Sequence, residues 1–195
     1  RAEWIGFLSK YDNLTGQCTL SGGCTEEQLD TQFNGGRAKV YGMEAGVGQD
    51  IALPAGFTLG LSVNYAYTFA QFLSSFDSDF PQFGEVEGGF MLPYVPSHQG
   101  SGSVYLEHER ATVSVTTHGR STMRDSAGNE ETPDEFEIPS IVQTDVAAEY
   151  RFNNHFSVYA TTNNIAGVRR VQSWRPYGAR PSTPFQAMLG LKAQL

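Results

Sequence analysis

Charge is scarce in this chain of 195 residues: Asp, Glu, Lys and Arg make up only 17% of it, against roughly a quarter in an ordinary soluble domain. Long apolar runs are lacking as well. No window approaches the ~18 to 20 consecutive apolar residues of a spanning helix, which excludes a helical membrane protein, and the mean hydropathy is negative. Basic residues are outnumbered 13 to 21, giving a net charge of −8. Phosphate neutralisation needs a clustered excess of Lys and Arg, so a nucleic-acid partner is excluded. There is no initiator Met, and no charged n-region with an apolar h-region. Glu3-Trp4-Ile5-Gly6-Phe7-Leu8 reads as the interior of a strand rather than a free end, and we expect the chain to be part of a longer protein. What is plentiful is Gly (21), Phe (13) and Tyr (9), a composition suited to many strands joined by turns.

Alternation with a period of two is the clearest pattern. From 57 to 70, Phe57, Leu59, Leu61, Val63, Tyr65, Tyr67 and Phe69 occupy one parity, and Thr58, Gly60, Ser62, Asn64, Ala66, Thr68 and Ala70 the other. Such a run puts bulky apolar groups on one face of a strand and small or polar groups on the opposite face. It also exceeds the usual five or six residues of a globular strand. Residues 37–50, 140–152 and 184–195 repeat the pattern, and 3–11, 97–107, 111–123 and 155–165 follow it more weakly. Eight strands are predicted, and no segment carries a 3.6-residue stripe.

The connections alternate in length. Long ones (12–36, 72–96, 124–139 and 166–183) alternate with short turns at Leu53-Pro54-Ala55-Gly56, His108-Glu109-Arg110 and Asn153-Asn154. All long connections therefore fall at one end of an antiparallel sheet. Outer-membrane barrels are built this way, with short periplasmic turns, long external loops and aromatic girdles. Tyr65, Tyr67 and Phe69 lie toward one end, and Tyr150, Phe152 and Phe156 toward the other. In hydrocarbon every backbone N–H and C=O must be paired internally, so β structure survives there only as a closed barrel. The outer face is then apolar, and the inner face holds Glu44, Asp145, Glu149, Arg151 and Lys192. Low charge follows, because half of each strand is closed to it.

Four motifs in order carry a family resemblance. Ala38-Lys39-Val40-Tyr41-Gly42-Met43-Glu44-Ala45 is similar to a strand of the TonB-dependent outer-membrane receptors, and Leu92-Pro93-Tyr94-Val95-Pro96-Ser97-His98 to the start of a later one. Asn163-Asn164-Ile165-Ala166 and Tyr177-Gly178-Ala179-Arg180-Pro181 resemble segments near the end of that barrel. The loop from Tyr11 to Cys18 resembles the ferric citrate type. The resemblance implies a barrel of about 22 strands closed by an N-terminal plug, of which residues 1–195 are the C-terminal portion: the last eight strands, an open arc in isolation, without plug or earlier strands. It further implies import of a ferric siderophore or ferric citrate-like chelate across the outer membrane, driven by TonB through the missing N-terminal part. The family commonly ends in Phe; this chain ends in Leu195. The rival reading is a self-contained eight-stranded barrel with a structural or adhesion role. The small inner positions Gly42, Gly46, Gly48, Gly60, Ser62 and Ala66 argue against it, since a narrow barrel is filled by side chains.

Candidate chemistry concentrates in loops. Cys18 and Cys24, the only cysteines, lie in an external loop around Thr-Leu-Ser-Gly-Gly, and an oxidising envelope favours a local disulfide. No further ligands with zinc spacing accompany them, and no metal is expected. Arg169, Arg170, Arg175 and Arg180 crowd the last loop with Trp174 and Tyr177. Guanidinium groups bind carboxylate and phosphate in pairs of hydrogen bonds. This loop therefore suits contact with an anionic chelate, binding of lipopolysaccharide phosphates, or pairing with the acidic loop near 124–137, and Trp174 and Tyr177 suit ligand stacking or loop packing. The four histidines, at 98, 108, 118 and 155, are scattered over strand ends and turns. No G-x-S-x-G, H-E-x-x-H or phosphate-binding loop occurs; neither an enzyme nor a cofactor is expected.

Overall fold

The computed structural model describes residues 1–195 apart from 18–24, 30, 79, 81–82, 130, 135–136, 175–177 and 194–195, with backbone only at Gln28 and Phe33. In chain order the strands are β1 (Ala2–Tyr11), β2 (Thr15–Gln17), β3 (Gln32–Asn34), β4 (Ala38–Ala52), β5 (Thr58–Phe72), β6 (Phe76–Ser78), β7 (Gly84–Val86) and β8 (His98–His108). They continue with β9 (Ala111–Arg120), β10 (Met123–Arg124), β11 (Glu137–Ile138), β12 (Ile141–Arg151), β13 (Phe156–Asn163), β14 (Val171–Ser173), β15 (Arg180–Pro181) and β16 (Gln186–Ala193). The eight long strands form one antiparallel sheet, ordered β1-β4-β5-β8-β9-β12-β13-β16. Each of the eight coincides with a strand expected from alternation. β1 and β16 are the two ends of the order and do not pair, so the sheet is an open arc, and the closed eight-stranded ring is set aside.

Register confirms the two faces. Opposite residues of an antiparallel pair point to the same side. Val47 faces Val63, Tyr41 faces Phe69, Leu61 faces Val104 and Val115 faces Val146 on the apolar side. Glu44 faces Ala66, Ser103 faces Thr116, His118 faces Gln143 and Ser157 faces Lys192 on the polar side. Glu44, Asp145, Glu149, Arg151 and Lys192 all fall on that polar side, as expected. Bulky side chains also fill the space over glycines there. A Cβ at Gly60 would lie 1.8 Å from the Tyr105 ring, and one at Gly190 would lie 2.3 Å from the Tyr159 ring. Tyr105 is further fixed by its hydroxyl, which donates to Asp50 Oδ1 at 2.8 Å.

The short connections are 53–57, 109–110 and 152–155. Ala55 and Gly56 turn the first with positive φ (62° and 77°), a conformation that Gly adopts without steric cost and Ala does not. The long ones lie at the opposite end, and each contains a hairpin that alternation had not revealed: β2–β3, β6–β7, β10–β11 and β14–β15.

Burial concentrates in this loop layer rather than in the wall. Ala38, Phe72 and Val86 are buried, with Leu14, Phe76, Phe83, Phe90, Leu92 and Ala127 packed against them. Phe72 meets Phe76 and Phe83 edge-on, with centroids 5.1 and 6.0 Å apart, the geometry that aromatic quadrupoles favour. Three loops thus contribute to one small core.

Candidate functional site

Inner-face side chains at the loop end of the wall line a cleft of about 450 Å³, with Glu44, Gln99, Ser101, His118, Arg120 and Gln143 among its walls and Gln172 reaching in from the last loop. Its position follows from strand parity: Gln99, Ser101, His118, Arg120 and Gln143 share one face because Gln99 pairs with Arg120, Ser101 with His118 and His118 with Gln143. Those side chains are polar and of mixed charge, and they stand among apolar ones such as Ile5, Tyr65 and Ile141. His118 Nδ1 stands 3.8 Å from Asp145 Oδ2. The Arg120 guanidinium donates to the carbonyls of Ser121 (3.2 Å) and Pro139 (3.1 Å). These two carbonyls lie on opposite legs of the 121–140 loop, so Arg120 clamps its base.

Asn164 does the same for the last loop. It is fully buried with φ of 50°, within the left-handed region that Asn tolerates better than most residues. Its side-chain N–H groups donate to the carbonyls of Val168 and Thr183, both at 2.9 Å, and its Oδ1 accepts from the Val168 N–H at 2.9 Å. Its backbone N–H donates to Asp145 Oδ1 at 2.8 Å. One side chain therefore joins both legs of the loop, and a wall carboxylate holds the backbone that carries it. Asp145 thus serves the loop as well as the inner face. The Asn163-Asn164 motif was the available sequence signal, but adjacency of 164 to 183 is not written in it.

A second anchor joins three loops. Tyr94 has φ of 60°, and its N–H donates to the Arg124 carbonyl at 2.9 Å. Its hydroxyl donates to the carboxylate of Asp125, a fully buried residue. The same hydroxyl lies 3.5 Å from Ser173 Oγ. Beside it, the Trp174 indole N–H donates to the Glu137 carbonyl at 3.1 Å. Arg124 donates to Thr132 Oγ1 at 3.0 Å, and burial lowers its guanidinium pKa from the ordinary value. The strained backbone at Tyr94 is held by these contacts. In the sequence Tyr94 stands only as part of the Leu92–His98 motif, and Asp125 reads as solvated, since a carboxylate in an acidic loop shows no other role until the fold buries it.

Of the residues expected to bind ligand, Arg169, Arg170 and Arg180 are exposed. Arg170 and Arg180 are brought onto the two legs of one hairpin: the Ser182 N–H donates to the Arg170 carbonyl at 2.7 Å, and Arg180 pairs with Ser173. Trp174 is half-buried and tied to the neighbouring loop. Arg175 and Tyr177 lie outside the described residues, as do Cys18 and Cys24 with the disulfide expected between them. The last loop carries four Arg and no acid, whereas the other three long loops hold fourteen of the 21 Asp and Glu residues.

An open antiparallel sheet, apolar outside and polar inside, with hairpin-bearing loops at one end, defines a segment of a large outer-membrane barrel. The family model for the TonB dependent receptor-like beta-barrel matches residues 6–165, and the chain belongs to that family, whose members lie in the outer membrane. No curated protein matches it in sequence. Among solved structures, it is similar to the siderophore receptor PiuA from Acinetobacter baumannii, with TM-score 0.67, 16% identity, and coverage of 98% of this chain and 26% of that one. It is similar to the ferric citrate transporter FecA, with TM-score 0.63, 16% identity, and coverage of 98% and 31%. It is also similar to the ferripyoverdine receptor of Pseudomonas aeruginosa, with TM-score 0.62, 15% identity, and coverage of 98% and 24%. The chain thus spans about a quarter to a third of the length of these neighbours, which are receptors and transporters.

Proposed function

We propose that residues 1–195 are the C-terminal portion of a TonB-dependent receptor, the last eight strands of a barrel of about 22, and that the whole receptor imports a ferric siderophore or ferric citrate-like chelate. TonB would act through the N-terminal part, beyond this chain. The observation that carries the reading is the charge division among the loops: one arginine-bearing hairpin shares the loop end of the sheet with three acidic loops and touches two of them, at Tyr94 and at Glu137. A polyanionic chelate is repelled by the acidic loops within a Debye length and attracted only by the last. Arg169, Arg170 and Arg180 then supply forked donors to its carboxylate or catecholate oxygens. The cleft beneath, whose lining includes Gln99, Gln143 and His118, continues the path inward.

The test is made on the full-length receptor with ferric citrate and a ferric catecholate as separate probes. Replacing Arg170 and Arg180 together by Ala should weaken binding of the cognate chelate at least ~10-fold, about one charge-assisted hydrogen bond's worth or more. Unchanged affinity for both probes would assign these arginines to lipid or structure and remove the chelate reading of the loop.

A further inference from the structure

The outer face of the wall carries Asp, Glu, Lys or Arg at one place only. Register assigns Ala2, Trp4, Gly6, Leu8 and Lys10 of β1 to this face, together with Lys39, Tyr41, Met43, Ala45, Val47, Gln49 and Ile51 of β4. Across all eight wall strands, Lys10 and Lys39 are the only Asp, Glu, Lys or Arg residues on the outward side. They are directly opposite each other in the β1–β4 pairing. Gln71 follows opposite Lys39 on β5. The next row toward the membrane is Leu8, Tyr41 and Phe69. Lys39 Nζ lies 5.5 Å from the centroid of the Tyr41 ring, and Tyr41 packs on Phe69 with centroids 5.0 Å apart.

Two like charges directly opposite on neighbouring strands destabilise the pairing. Neither lysine takes part in an ion pair among the described residues. The pair sits at the loop end of the strands, immediately above the aromatic row, where headgroups of the external leaflet meet the protein. An anion bridging both ammonium groups converts the repulsion into attraction, and an anion at this height on the lipid-facing side belongs to a membrane lipid.

We propose that Lys10 and Lys39, with Gln71 beside them, form a binding site for a phosphorylated glycolipid headgroup of the external leaflet. One phosphate sits between the two ammonium groups, the Gln71 amide donates a further hydrogen bond, and the acyl chains run down over Leu8, Tyr41 and Phe69. This site lies on the opposite side of the wall from the cleft and the arginine hairpin. It rests on membership of the outer-membrane family and on the register, not on the identity of the imported chelate.

Native mass spectrometry of the purified full-length receptor tests it, with bis-phosphorylated lipid A and phosphate-free lipid A as probes. The receptor should retain the phosphorylated lipid roughly tenfold more tightly than the phosphate-free one. Lys10→Gln with Lys39→Gln should abolish that preference, and Lys10→Arg with Lys39→Arg should keep it. Equal retention by the native and Gln proteins, or equal retention of the two lipids by the native protein, overturns the site. Inorganic phosphate binding as tightly as the lipid overturns its assignment to a membrane headgroup. If the double Gln variant does not fold, Lys39→Gln alone and the salt dependence of the native protein decide, since a pair of exposed ammonium groups loses its ligand as salt rises.

Discussion

Val63 and Phe72 belong to the same strand, yet they meet opposite environments. Val63 is 60% exposed on the outer face, and Phe72 is completely buried beneath the loops. Along the wall, apolar side chains point away from the protein because the bilayer is the apolar phase. Nothing is gained there by burying them against other protein, and most inward side chains are small or polar, with Phe7 and Ile141 among the exceptions. In the loop layer water surrounds the chain, so Phe72, Phe76, Phe83, Phe90 and Val86 gather inward as they would in any soluble domain. The chain therefore contains an inverted region and a conventional one, joined at the row where Ala38 pairs with Phe72. Hydrophobic residues are placed by what surrounds each segment, and the change of solvent occurs within single strands.

The contrast breaks most severely at the centre of the loop core. Phe72→Ala removes the ring that touches Phe76 and Phe83 and should cost about 3–5 kcal/mol of local stability. Because the wall does not depend on that ring, limited proteolysis of the full-length receptor should show loop cleavage rising steeply while the barrel band on a heat-modifiability gel persists. Loss of the barrel along with the loops would mean that the two regions fold as one unit.

On the wall, adjacent positions should behave oppositely. Val63→Arg places a charge near the middle of the lipid face and should cost about 2–4 kcal/mol. Ser62→Lys, one residue away on the inner face, should cost well under half of that. Urea titration of the receptor folded into vesicles measures both, and equal penalties would contradict the assignment of faces. The smallest effect is expected at the anchor between loops. Tyr94→Phe removes the hydroxyl donor to the buried Asp125 carboxylate and should cost about 1–3 kcal/mol, read as faster amide hydrogen exchange across 121–140 with the wall strands unchanged.

What was legible in the sequence is the wall. Alternation from 57 to 70 placed β5 within two residues of its observed limits, and the parity of Glu44, Asp145, Glu149, Arg151 and Lys192 placed all five on the inner face. Strand parity is a local property: each residue's face is set by its neighbours two positions away. The arginine cluster was visible for the same reason, being contiguous in the chain. The loop hairpins, by contrast, are pairs of two or three residues, too short for a period to show.

The sequence by itself thus determined the strands, the two faces, the segregation of long and short connections, and the concentration of Arg in one loop. Only the tertiary structure decided which loops touch. Asn164 bonds the carbonyl of Thr183, Tyr94 reaches Asp125, and Trp174 reaches the carbonyl of Glu137 across 37 positions. It also decided that Lys10 and Lys39, 29 positions apart, stand side by side on a face otherwise without charge. The physical reason is register. A period of two fixes which way a side chain points, but which residue it stands beside is set by how far one strand slides along the next.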